Sequence, residues 1–192
     1  MTLTIRSFLA LLAAVWACVA MPAWSADNLD CIDSGYGTAE QARLDSFAVG
    51  FDVVVWGTQG PPADILEMLR AKAETCAKLH DWSVEAANYA IAFKMGRIGL
   101  AGMESNGTLS ADHLTRLRSA LLPSDVQKGK MLMGQMATAY HEGREMPLES
   151  PDMFIGRFIV RSGVPTELAW AAGAWASAVF GCERFAELFA AA

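Results

Sequence analysis

The chain has 192 residues, of which 53% are hydrophobic and 19% charged, and its formal net charge is −6 at neutral pH. That acidic balance argues against nucleic acid and anionic wall polymers as partners, because like charges repel at the surface, and it favours basic protein partners instead. No charge run, internal repeat or Ser/Pro-rich linker divides the chain, so the expectation is a leader over 1–26 and one globular domain over 27–192.

Residues 1–26, MTLTIRSFLALLAAVWACVAMPAWSA, read as a secretory signal peptide. Arg6 is the lone charge of a short basic start, Phe8 to Ala20 supplies the apolar middle, and Pro22 breaks the helix before a small-residue cleavage site. Ala23-Trp24-Ser25 has the A-x-S shape and places the cut after Ser25 or Ala26. The stretch between Arg6 and Pro22 falls short of the roughly 20 apolar residues that a membrane span needs. A lipoprotein signal would put the lipidated cysteine at Cys18, but Trp16 fits the preceding box poorly. The expectation is therefore export to the periplasm or outside the cell, with no stable membrane span in the mature chain.

Seven segments of helical spacing follow. Thr38 with Gln41 makes a capping box for the first, whose apolar positions are Leu44, Phe47, Phe51 and Val54. Gly57 and Gly60 break it, and Pro61 begins a second helix with Ile65, Leu66, Leu69, Ala73 and Cys76 on its core face, ending near His80. Ser83 caps a third, which carries Val84, Ala87, Ala90, Ile91, Phe93 and Ile98. Asn106-Gly107 is a turn, and Ser110 caps a fourth helix from Ala111 to Leu122. Ser124 with Gln127 makes a capping box for a fifth. Glu142 to Glu149 is polar and broken by Gly143 and Pro147, and Ser150-Pro151 opens a sixth helix. Pro165 begins the last, which runs to about Phe189 and carries small residues Ala169, Gly173, Ser177 and Gly181 every four positions. Its uncharged stretch of about 15 residues is too short to span a membrane and reads as a buried central helix. No segment shows strand alternation, so the fold class is all-α, a compact bundle of about six to seven helices.

Cleavage of the leader discards Cys18 and leaves Cys31, Cys76 and Cys182. Three pairings are open. Cys31 with Cys76 is favoured, because Cys31 lies in a Gly-rich lead-in that needs tethering, whereas Cys182 lies in the apolar last helix as a small hydrophobe. The bond is read as a structural staple, the spacing matching neither redox nor zinc motifs.

Candidate chemistry is sparse. Asn106-Gly107-Thr108-Leu109-Ser110 looks like the middle of an EF-hand loop, but on that register position one is Gly102 and position twelve is His113, so the first and last oxygen ligands are missing beside Glu104 and Asn106. Met131, Met133 and Met136 with His141 suggest a soft-metal role, although Met133, Met136 and Tyr140 share a face with Val126 as core residues would. His80, His113 and His141 lack ligand spacing, and His80 near a helix end reads as a dipole partner. Glu104-Ser105 after a helix, with Gly134-Gln135-Met136-Ala137-Thr138 further on, resembles lytic transglycosylases of the lysozyme-like helical fold over a handful of residues. The resemblance implies Glu104 as general acid. The two pieces lie farther apart than the compact family motif, and its Gly-Leu-Met-Gln order is not reproduced.

Trp56, Trp82, Trp170 and Trp175 are core or pocket aromatics. His80-Asp81-Trp82 joins two helices and is the densest polar-aromatic cluster, which makes it the candidate recognition surface, with a helix cap and a stapled Trp as its structural alternative. The expectation is a non-catalytic protein-binding or envelope accessory module without cofactor, its partner another envelope protein. A peptidoglycan hydrolase using Glu104 and a small metal-binding module are the alternatives.

Overall fold

A computed structural model describes residues 26–52, 55, 59–141 and 151–192, and for 136–141 and 151–155 the backbone alone. The expected leader, apart from Ala26, lies outside the described residues, as do Val54, Trp56, Gly57, Glu142 to Glu149 and Ser150. Among the described residues there are seven helices and no strand. They are α1 (Thr38–Val49), α2 (Ala63–His80), α3 (Val84–Ser105), α4 (Ala111–Ala120), α5 (Pro123–His141), α6 (Pro151–Ser162) and α7 (Ala169–Ala191). A 3-10 turn, Leu29–Asp33, precedes α1, and a second, Thr166–Leu168, leads from Pro165 into α7. The all-α expectation holds.

Local chemistry explains the boundaries. The Ser83 Oγ accepts from the Ala86 N–H at 2.9 Å, and Ser110 and His113 form a reciprocal box at the start of α4, so both serine caps stand as predicted. The first capping box is shifted by one residue. Glu40 Oε2 accepts from the Gly37 N–H at 2.7 Å, while Gln41 donates to Asp45 instead. At the second helix Pro62, rather than Pro61, is the cap residue. The Ser124–Gln127 box is replaced by Asp125, whose carboxylate accepts from the Leu122 N–H at 3.1 Å. Pro123 is thereby the first helical residue, where its missing N–H loses nothing. α4 stops at Ala120, two residues short of Leu122: Leu121 turns to extended geometry, and the Leu122 N–H is taken by Asp125 of the next helix.

Two long helices, α3 and α7, form the spine and pack against each other. α7 also packs on α5 and α6, and α3 on α1 and α2. Three apolar clusters lie along this spine. The largest collects Met103 of α3, Leu114 and Leu117 of α4, Phe158 of α6 and Trp175 and Phe180 of α7. A second joins Ile32, Ala73, Cys76, Trp82, Ala86, Ala90 and Phe189. The third, Leu44, Ile65, Leu69, Met95 and Ile98, fastens α1 and α2 to the middle of α3. Phe51 is buried as predicted, but beyond the end of α1.

Of the predicted small-residue ridge of α7, Gly181 sits at ordinary contact distance from its neighbours, Met133 among them, whereas tight fits run from large groups of α7 onto glycines of its neighbours. Phe180 lies so close to Gly129 of α5 that an added Cβ would overlap its ring, and Cys182 Sγ would sit 2.7 Å from a Cβ at Gly96 of α3. Close packing of this kind leaves no room for a methyl group.

Candidate functional site

The α2–α3 connector is built to reverse the chain in three residues. Asp81 adopts left-handed geometry (φ 56°), and the Trp82 N–H reaches back to the Ala77 carbonyl at 3.1 Å, a Schellman-type closure. Asp tolerates this region better than most residues because of its short polar side chain. His80 lies in the last turn of α2 with its ring against that of Trp82, centroids 6.1 Å apart and near parallel.

Trp82 itself points inward. It is 7% exposed, meets Phe189 edge-on at 4.8 Å, and donates from Nε1 to the Asp27 carbonyl at 2.8 Å. The recognition surface read at His80, Asp81 and Trp82 is therefore divided: Asp81 is exposed and His80 half-buried, while the indole is a wall of what lies beside it. Ala87, one turn into α3, packs against the same cluster, which is the stapled arrangement weighed from the sequence.

Beside the connector runs a groove of ≈ 340 Å³ between α2 and α3. Ala73 and Ala77 form its α2 side and Ala87 and Ile91 its α3 side, with Trp82 at the end and Arg70, Glu74 and Asn88 on the rim. Small side chains on both helices create the trough. Two large apolar residues flank the connector in solvent, Leu79 at 71% and Val84 at 82% exposure. Val84 stands at the first helical position of α3, ahead of Ala86, which is buried. Neither Arg70 nor Glu74 has an ion-pair partner among the described residues.

Behind the groove lies the lead-in of residues 26–37. Cys31 and Cys76 stand at disulfide geometry with Cα atoms 5.9 Å apart, the favoured one of the three pairings, and Cys182 is free and buried. Ile32 is fully buried, and Asp33 takes Lys94 at 2.9 Å together with Arg97. Lys72 and Lys94 face the Tyr36 ring, whose hydroxyl donates to the Ile32 carbonyl at 2.8 Å. Burial, reinforced by the charges of Asp33 and Glu40, holds the Tyr36 phenol well above its ordinary value. Burial also pushes the Cys182 thiol up to about 11, so it is a poor nucleophile.

The other candidates sit elsewhere and are occupied locally. Glu104 Oε1 accepts from Arg118 Nη2 at 2.6 Å and from Trp175 Nε1 at 3.1 Å, which ties α3 to α4 and α7. Asn106 Oδ1 accepts from the Thr108 N–H at 3.0 Å, an Asx turn, and Gly107 takes the positive φ of 77° that the turn requires. With His113 engaged in the Ser110 box, the EF-hand register of Gly102, Glu104, Asn106 and His113 is a helix–turn–helix joint. No group of three His, Cys, Asp or Glu side chains able to hold a metal occurs among the described residues. Met131 is exposed and Met133 packs on the largest cluster, while the side chains of Met136, Tyr140 and His141 lie outside the described residues. Trp175 is buried, and Trp170, 53% exposed, edges a smaller depression of ≈ 70 Å³ with Phe51, Met103 and Leu109.

Sequence reasoning missed the groove, because Ala73 and Ala87 read as ordinary apolar helix positions and Ala77 carries no signal of its own. No helix among the described residues is long and apolar enough to cross a membrane. The chain defines an all-α bundle with an apolar interhelical groove, and comparisons with family models, curated proteins and solved structures find no match.

Proposed function

We propose that the protein is an exported, non-catalytic binding module that takes up an apolar segment of another envelope protein in the α2–α3 groove. One observation carries the reading: an alanine-lined trough ends at Trp82 and is flanked by the solvated side chains of Leu79 and Val84. Exposed apolar side chains beside a concave, small-residue floor are the features of a helix-in-groove interface, in which the partner's large side chains fill the trough. Burial of such anchors supplies most of the affinity of an interface of this kind. A closed disulfide is compatible with an oxidising compartment.

A photo-crosslinking residue placed at Val84 tests it. The expected result is one discrete envelope-protein adduct, absent when the crosslinker is placed at Met131 and lost when Ala87→Glu puts a charge on the trough wall. Identical adducts from both positions, or an adduct indifferent to Ala87→Glu, would rule the groove out as the docking surface.

A further inference from the structure

We propose that the Cys31–Cys76 disulfide switches the state of the α2–α3 groove, fixing its end wall when closed and releasing that wall when reduced. The purpose of the switch rests on the binding reading of the groove; its geometry does not. Ala73 and Trp82 are shared walls, lining the trough on one side and burying the other in the cluster that holds Cys76, Ile32 and Phe189. Residues 26–31 are the backing of that wall. Their fastenings to the helices are the disulfide, the hydrogen bond from Trp82 Nε1 to the Asp27 carbonyl, and the packing of Ala26 and Leu29.

Downstream of Cys31 the lead-in is held independently. Ile32 is fully buried, Asp33 is clamped by Lys94 and Arg97, and the Tyr36 hydroxyl is tied to the Ile32 carbonyl. Opening the bond therefore does not free the whole lead-in. It frees the part behind Trp82, where only the hydrogen bond to the Asp27 carbonyl and the packing of Ala26 and Leu29 remain to hold residues 26–31 against their conformational entropy.

Closing the switch converts two thiols into the S–S bond with loss of two protons and two electrons. A protein or small-molecule disulfide takes up those electrons through one mixed disulfide and leaves as a dithiol; a dithiol reductant drives the reverse. A chain that has not met an oxidant thus carries an unfinished groove, and the binding surface is completed on arrival in an oxidising compartment.

Two tryptophan indole N–H groups make the test internal to one molecule. Trp82 Nε1–H is bonded to Asp27 in the switched region, and Trp175 Nε1–H is bonded to Glu104 in the largest cluster. Their hydrogen exchange is measured by NMR on the purified 15N-labelled protein, oxidised and then reduced with dithiothreitol, with Trp82→Phe assigning the first signal. Reduction is expected to speed Trp82 exchange by at least about tenfold more than it speeds Trp175 exchange, whose own rise reports the loss of global stability; the excess at Trp82 is the mark of a local opening. Unchanged exchange at Trp82, or an equal rise at both indoles, would overturn the proposal, the latter because the bond would then act only on global stability. The Cys31→Ala, Cys76→Ala pair must reproduce the selective rise without reductant, and protection of Trp82 in that variant would equally overturn it. No partner enters these measurements, so failure of the docking experiment at Val84 leaves their outcome standing, and the reverse.

Discussion

The two ends of the spine are held together by different means. Around Phe180 and Trp175 the bundle relies on large side chains seated against small ones, as where the Phe180 ring lies on Gly129. Around Trp82 the cluster sets Trp82, Phe189 and Ile32 among three alanines and a short 3-10 lead-in, and a covalent bond and a Trp-to-carbonyl hydrogen bond supplement the packing. The difference follows from what each region has available. Regular helices can bury continuous faces, whereas a lead-in with one 3-10 turn offers few apolar positions and keeps more of its chain entropy to be overcome. The region with less to bury is the one that carries the groove.

Four measurements would break or sharpen that contrast. The largest effect is expected at the packed end, where Phe180→Ala should lower stability by about 3–5 kcal/mol in denaturant unfolding, the usual range for a buried phenylalanine. Substantially less would mean that α5 and α7 can close over the vacancy. At the stapled end, Cys31→Ser with Cys76→Ser should remove about 2–4 kcal/mol, the entropy of closing a loop spanning 45 residues. In a chain of this size that corresponds to a melting temperature lower by roughly 4–16 °C.

A smaller effect is expected where the two ends meet. The Cys182 thiol resists ionisation in the folded protein and not in the unfolded one, so the unfolded state loses its proton first as pH rises. Stability should therefore decline between about pH 9 and about 11, and Cys182→Ala should flatten that decline without abolishing the part due to Tyr36, which acts in the same direction. The smallest is expected at Glu104. Glu104→Gln keeps an acceptor for Trp175 but gives up the ion pair with Arg118, a change of about 0.5–1 kcal/mol for a partly exposed pair. The same variant checks the hydrolase alternative: peptidoglycan turnover present in the parent and lost in Glu104→Gln would replace the binding reading.

The helices were legible in the sequence wherever a side chain caps its own helix, as at Ser83 and Ser110, or where periodicity was uninterrupted, as in α2. Boundaries slipped where the cap is made from within the helix. Gly37 has no side chain to announce itself, and it is Glu40 that reaches back to its N–H; Asp125 does the same for Leu122. The favoured cysteine pair was readable because only one cysteine lies in irregular chain. The groove was not, since three alanines become a trough only once α2 and α3 lie side by side. Trp82 was singled out for its neighbours in sequence, yet its burial is decided by Phe189 and Asp27, more than fifty residues away on either side.

Three cysteines, Cys31, Cys76 and Cys182, lie among the described residues, so more than one pairing is open to them before the chain folds. Cys182, set on Gly96 with its sulfur near the Phe93 carbonyl, removes itself from that competition once α3 and α7 have docked. Only a thiolate attacks a disulfide, and this one is both shielded and reluctant to ionise. Mispairing is thus confined to the interval before the spine assembles. Early docking of α7 on α3 takes Cys182 out of the exchange and leaves Cys31 and Cys76 to pair with each other.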